Sequence, residues 1–228
     1  LQPQNKYPEK PIPLFSIKRE GYEIEIYYSE SYYLLSLICD RIKEYNRDEK
    51  LKLFLTLEGD DAHTSVISLC HEEQDKVCIY VLKVGLKLSE NIKEILSSTK
   101  ILKISLNCEE DIYKIYKSFS LTCLGIVDIG SIIKIMSPNL MSLVSTNHEV
   151  LMSNFGVDTY KKLVHDWKTV DNNKIMISAY NCLSCMLLYN EITKHRDIVN
   201  ISVNTLSTSN SPRCEEEPML SDNEEYSD

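Results

Sequence analysis

At 228 residues, 43% of them apolar and with a formal net charge of −9, the chain is long enough for one sizeable α/β domain and a tail. Such a charge argues against a protein that wraps a polyanion. It is concentrated at the end, where Glu215, Glu216, Glu217, Asp222, Glu224, Glu225 and Asp228 face only Arg213, so a modest nucleic-acid surface stays open. No apolar run reaches membrane-spanning length and no signal-peptide pattern opens the chain, so the expectation is a soluble, cytoplasmic protein without a membrane partner. A start at Leu1 rather than Met fits a piece of something longer.

Residues 1–20, with Pro3, Pro8, Pro11 and Pro13, read as an extended N-terminal arm. Over 22–28 polar and apolar residues alternate as in a strand with one apolar face. Ser29 or Ser31 then caps a helix that carries Leu34, Leu35, Leu37, Ile38 and Ile42 at helical spacing. A charged loop at 46–50 leads into 51–58, a strongly apolar run that stops at Gly59-Asp60-Asp61 and reads as the central strand. Two more strands, 64–70 and 76–83, flank an acidic hairpin loop, His71-Glu72-Glu73-Gln74-Asp75.

Beyond the hairpin, Ser89 caps an amphipathic helix over 90–98, and 101–106 is a compact buried strand. A helix over 109–119 sets Ile112, Ile115, Tyr116 and Phe119 on one face, and 123–129 is a fifth core strand. This order predicts an α/β fold, a mixed sheet of five to six strands flanked by helices. The pattern is helical at 132–136, 139–145, around 150–155, at 160–167 and over 173–194, the last apolar around most of its circumference and therefore packed inside. The domain is expected to span residues 21–199. Residues 200–228 turn to Ser, Asn, Thr, Pro and acids and predict a disordered tail, in which Ser221 precedes acids as an acid-directed phosphorylation site does.

Cysteines stand at 39, 70, 78, 108, 123, 182, 185 and 214, mostly inside apolar runs, as small buried hydrophobes of a reducing compartment. Cys182-x-x-Cys185 lacks the second pair a structural zinc needs. None of His63, His71, His148, His165 and His195 has a nucleophile at a recognisable spacing; the first three have loop-like surroundings. Tyr22, Tyr27, Tyr28, Tyr32 and Tyr33 cluster early and serve either a core or base stacking. Lys161, Lys162 and Lys168 make a small basic patch beside Trp167.

Five stretches, in order, carry a resemblance: 53–58; Ile104-Ser105-Leu106-Asn107-Cys108-Glu109-Glu110-Asp111; Ile126-Val127-Asp128-Ile129; Asp166-Trp167; and 179–192 with Leu188-Tyr189. On them residues 22–192 resemble the RNase D and Werner-type 3'-5' exonuclease domain of the DEDD superfamily, a ribonuclease H-like fold. That resemblance implies phosphodiester cleavage by two divalent metals held on four carboxylates. It also implies how this chain departs from the pattern. Thr56 and Asn181 stand where two of the acids belong, Ile177 where the catalytic Tyr belongs, and only Glu58 and Asp111 keep a charge. Hydroxyl and amide oxygens are weak ligands for Mg²⁺, and Ile177 cannot hydrogen-bond a nucleophilic water. Glu58 and Asp111 are left as one weak metal site or as polar strand-end residues. Asp60 and Asp61 lie past the strand on the wrong register to replace a lost acid. Mg²⁺ or Mn²⁺ would enter only with residual activity, and no other cofactor is expected.

The reading is therefore a catalytically inactive 3'-5' exonuclease-like domain that acts as an RNA-binding or scaffolding adaptor. Among inactive relatives it is most similar to the exonuclease-domain adaptor of Piwi-interacting RNA biogenesis, on Leu57-Glu58-Gly59 and the missing acids. That likeness implies single-stranded RNA and Tudor-domain protein partners, a homodimer and ribonucleoprotein granules. The alternatives are an active exonuclease with a variant metal site, and a protein-interaction module with no nucleic-acid role.

Overall fold

The computed structural model describes residues 11–19, 21–45, 51–59, 63–73, 76–106, 108–136, 148–157 and 166–194. In chain order the strands are β1 (Phe15–Arg19), β2 (Tyr22–Ser29), β3 (Lys52–Gly59), β4 (Thr64–Glu73), β5 (Lys76–Lys83), β6 (Leu102–Ser105) and β7 (Ile126–Asp128). The helices are α1 (Tyr32–Tyr45), α2 (Glu90–Ser97), α3 (Cys108–Phe119), α4 (Ile129–Met136), α5 (His148–Asn154) and α6 (Asn172–Lys194). The strands form one seven-stranded sheet in the order β1-β2-β5-β4-β3-β6-β7. Pairs β1/β2, β3/β4 and β4/β5 are antiparallel, while β2/β5, β3/β6 and β6/β7 are parallel. The fold is thus the mixed α/β sheet that the element order implies, with one strand more at the edge.

The central strands are buried on both faces, which is why they read as continuous apolar runs. Along β3, Leu53, Leu55 and Leu57 face a core closed by Ile38 and Ile42 of α1, Ile92, Ile95 and Leu96 of α2, and Ile115 of α3. Phe54 faces the opposite core, closed by Ile129 and Ile133 of α4, Leu151 and Met152 of α5, and the apolar residues of α6. Each fully buried side chain of this kind contributes roughly 1.5–3 kcal/mol. Helix α6 is preceded by Asp171, whose carboxylate accepts from Lys174 N at 2.8 Å as an N-cap does. Its buried residues, from Ile175 to Ile192, include Ile177, Ala179, Cys182, Leu183 and Leu188.

Four expectations need correction. Phe15–Arg19, assigned to the extended arm, is extended but pairs with β2 from Phe15↔Ile26 to Arg19↔Tyr22. Phe15 and Ile17 pack against the core while Ser16 and Lys18 face solvent, an alternation too short and too close to the prolines to stand out. Strand β4 runs on through His71 to Glu73, so His71 is no loop residue: it is 0% exposed. On α3, Ile115 is buried and Ile112 and Phe119 are partly so, but Tyr116 is 59% exposed. The fifth core strand is shorter than expected, Ile126–Asp128. The helices expected at 139–145 and over most of 160–167, the tail with Ser221 and Cys214, and Asp60, Asp61, Lys161, Lys162, His165 and His195 lie outside the described residues.

One lysine ties the second layer together. Lys103, on β6 and fully buried, donates from Nζ to the carbonyls of Ile95 at 3.2 Å, Ser98 at 2.5 Å and Ile101 at 2.9 Å. All three donors of the ammonium are spent on the end of α2 and the loop after it, which satisfies carbonyls a helix terminus leaves open. Burial lowers its pKa to about 8.

Candidate functional site

Three elements bring the residues singled out by the sequence to one place. Strand β3 ends in Thr56 and Glu58, which alternation puts on the same side as Phe54, toward α6. Immediately after Glu58 the register of β3 against β4 shifts, a bulge that re-aims the strand end. Gly59 is required there, since a Cβ would sit 2.1 Å from the His63 carbonyl oxygen. Ser118 of α3 pins the far side of this connection, accepting from Thr64 N at 3.0 Å. Strand β6, parallel to β3, ends at Ser105, and α3 begins at Cys108 with Asp111 in its first turn. A crevice beyond the carboxyl ends of parallel strands is where open α/β sheets place ligands. Helix α6 supplies Ile177 and Asn181, four residues apart and so on one face.

The contacts at this point are specific. Asn181 donates from Nδ2 to Glu58 Oε1 at 2.8 Å, and Ser105 donates from Oγ to Asp111 Oδ2. Asp111 is half-buried, and its carboxyl is pushed up to about 7 by burial above all, with the Ser105 bond and Lys114 opposing and the charges of Glu110 and Glu58 adding to it. Lys114 is ion-paired to Glu110 at 2.6 Å. Burial works against its charge, but Glu110, Asp111 and Glu58 outweigh that and hold its pKa above the ordinary value. One ammonium therefore stands in the field of three acids.

Beneath the acids, the α6–sheet contact is polar. The hydroxyls of Ser68 and Ser178 meet at 2.8 Å in full burial. Cys182 donates its thiol to the carbonyls of Phe54 at 3.1 Å and Ser68 at 3.5 Å, and Cys185 is buried on the same helix. Thr56 Oγ1 is buried beside the Cys182 thiol and makes no hydrogen bond of ordinary geometry, the one such side-chain atom among the described residues. Ile177 is 5% exposed.

A pair of divalent ions needs several anionic oxygens free to coordinate. These residues do not fit such a pair. Of the four positions that the resemblance names, Thr56 and Asn181 are uncharged, and one oxygen of each carboxylate accepts a hydrogen bond from a neutral side chain. A carboxylate accepts only, so the Asn181 amide that contacts it presents its NH₂ and turns its own oxygen away. The Thr56 hydroxyl is shut off from solvent.

Other sequence candidates fall into structural roles. Asp128 caps α4, accepting from Ser131 N at 2.8 Å and Ser131 Oγ at 2.7 Å. Asp166 accepts from Lys168 N at 2.9 Å, Trp167 is in the core, and Tyr189 packs edge-on to Phe54 at 5.6 Å. Of the early tyrosines, Tyr27 is buried while Tyr22 and Tyr28 pack partly buried against the core. His63 is exposed and His148 begins α5.

Sequence reasoning missed a second polar cluster on the other face. His71, Glu73 and Cys78 bring three ligand atoms within 4.8 Å of one another. Arg41 fills the cluster, donating from Nη2 to Glu73 Oε2 at 2.7 Å and from Nη1 to the Tyr27 hydroxyl at 3.2 Å. A cation of the protein's own is thus already paired with the carboxylate of this cluster. Ser105 and Lys114 were missed as well.

No protein-family model matches the chain, and no curated protein does. Solved structures do match. One, described as the apo form of the nuclease, aligns at 16% identity over 75% of this chain and 80% of its own, with a TM-score of 0.55. Brucella melitensis NrnC bound to pGG aligns at 13% identity over the same shares, with a TM-score of 0.53. The chain shares its fold with these nuclease structures. An EXD2 exonuclease domain soaked in Mn and GMP also aligns, at 15% identity over 77% of this chain and 97% of its own, with a TM-score of 0.42. In this chain the end of β3, the first turn of α3 and helix α6 bring Glu58, Asp111 and Asn181 together. No described helix is long and apolar enough to cross a membrane.

Proposed function

We propose that this chain is a DEDD-type exonuclease fold that binds single-stranded RNA without cleaving it. One observation carries the reading: Asn181, standing where the resemblance expects an acid, donates a hydrogen bond to Glu58 at 2.8 Å. With Thr56 also neutral and Ile177 in place of a Tyr, neither a metal pair nor a positioned nucleophilic water has the ligands it needs. Strand binding is supported by the fold, since NrnC of the same architecture is bound to pGG. The finer reading, an adaptor of Piwi-interacting RNA silencing that works as a homodimer with protein partners in cytoplasmic granules, rests on Leu57-Glu58-Gly59 and the missing acids.

The test is a labelled single-stranded RNA incubated with the chain and Mg²⁺ or Mn²⁺. The expected result is a retained, full-length strand whose binding weakens steeply with salt, as phosphate contacts do. Shortening from the 3' end that Glu58→Ala abolishes would establish the active exonuclease instead. Absence of salt-dependent binding would leave the protein-interaction module.

A further inference from the structure

We infer that the cleft is closed to divalent ions by two neutral side-chain donors, Asn181 on Glu58 and Ser105 on Asp111, and that Ser105 is the second of these locks. The inference rests on the reading of a non-cleaving domain, and it adds a mechanism and a residue that the sequence motifs do not mark.

One oxygen of each remaining carboxylate accepts a hydrogen bond from the protein. Glu58, at the bulged end of β3, accepts the Asn181 amide at 2.8 Å. Asp111, in the first turn of α3, accepts the hydroxyl of Ser105 from the end of β6. Both donors come from elements fixed by the core, α6 across the sheet and β6 within it, so neither contact depends on a loop. A divalent ion at Glu58 Oε1 would compete with the Asn181 amide, and one at Asp111 Oδ2 would compete with the Ser105 hydroxyl.

The charge balance points the same way. Lys114, on α3 one turn after Glu110 and Asp111 and ion-paired to Glu110 at 2.6 Å, supplies positive charge beside both acids. A dication at these acids would be repelled by the Lys114 ammonium. Ser105 acts only through Asp111, so it is a positioning residue.

The experiment is Mn²⁺ binding to the full chain, read by the loss of the free-ion electron paramagnetic resonance signal, with circular dichroism confirming the fold of each variant. The wild type is expected to take up no Mn²⁺ at millimolar ion. Asn181→Asp with Ser105→Ala is expected to bind one ion per chain. Asn181→Asp with Ser105→Thr, which keeps the hydroxyl, is expected to bind about tenfold more weakly than the Ser105→Ala pair, the size that a neighbour of a metal ligand usually commands. The single variants carry the same comparison if the double one fails to fold.

Stoichiometric Mn²⁺ uptake by the wild type, lost in Glu58→Gln, would overturn the inference. So would equal affinities for the Ser105→Ala and Ser105→Thr pairs. The two readings fail separately: uptake without strand shortening sinks the locks and leaves the non-cleaving domain, whereas shortening of the RNA sinks the non-cleaving domain itself.

Discussion

Two polar clusters lie in this sheet, and they solve the same electrostatic problem in opposite ways. Behind β4 and β5, Arg41 reaches from α1 to Glu73 and Tyr27, with Tyr27 in turn donating to Glu25 at 2.7 Å and Lys76 to the same carboxylate at 2.8 Å. Every charge there meets its opposite. At the end of β3 and in the first turn of α3, Glu58 and Asp111 add to each other's charge; their hydrogen-bond donors are an amide and a hydroxyl, and one ammonium, Lys114, stands beside them. A cluster that exists for stability is neutralised. The Glu58 and Asp111 cluster keeps two acids whose direct hydrogen-bond donors are neutral.

The comparison can be broken first at Arg41. Arg41→Ala is expected to cost about 3–4 kcal/mol, the low end for stripping one partner from a buried ion pair, because both side chains keep some exposure. Urea unfolding measures it, and a loss within experimental error would show that the guanidinium is ornamental.

Next in size is His71. Burial lowers its pKa from 6.5 to about 4, with the Arg41 charge adding to this and the Glu72 carbonyl opposing it. Below pH 6.5 the unfolded chain takes up a proton that the folded chain refuses. This contribution is therefore full above pH 6.5 and lost as pH falls toward about 4, reaching about 3 kcal/mol. Stability against pH for the wild type and His71→Gln should diverge in that window alone, and parallel curves would place His71 outside the balance.

Asn181→Asp sharpens the other half. It replaces a donor to Glu58 by a like charge and should cost about 2 kcal/mol without metal. Thermal unfolding in chelator reads the loss, and an unchanged midpoint would mean that the amide does little. Smallest is Thr56→Val, which removes the buried hydroxyl at nearly constant shape and should gain about 1 kcal/mol. A loss of stability would mean that Thr56 Oγ1 has a partner, such as a water.

The sheet and its helices were legible because central strands must be apolar on both faces, as 51–58 and 76–83 are, and because Ser89 and the periodicity of 109–119 mark helices plainly. Strand β1 was not, since five residues beside prolines carry too short an alternation. The acidic run after Cys70 concealed a continuing strand, for its charges are compensated by Arg41, 32 residues away from Glu73. In the cleft, Thr56, Glu58, Asp111, Ile177 and Asn181 could be named from the order of motifs. The donors could not: nothing in a Ser two residues past a lysine says that its hydroxyl will meet an Asp six positions on.

Lys103 has a practical consequence. Its nitrogen is sealed behind three carbonyls, so an amine-directed label can attack it only when β6 has parted from the end of α2. With its pKa already lowered to about 8, the same side chain offers a sealed reporter inside the molecule: modified at Lys103 means opened, and unmodified means intact, whatever the exposed lysines have done.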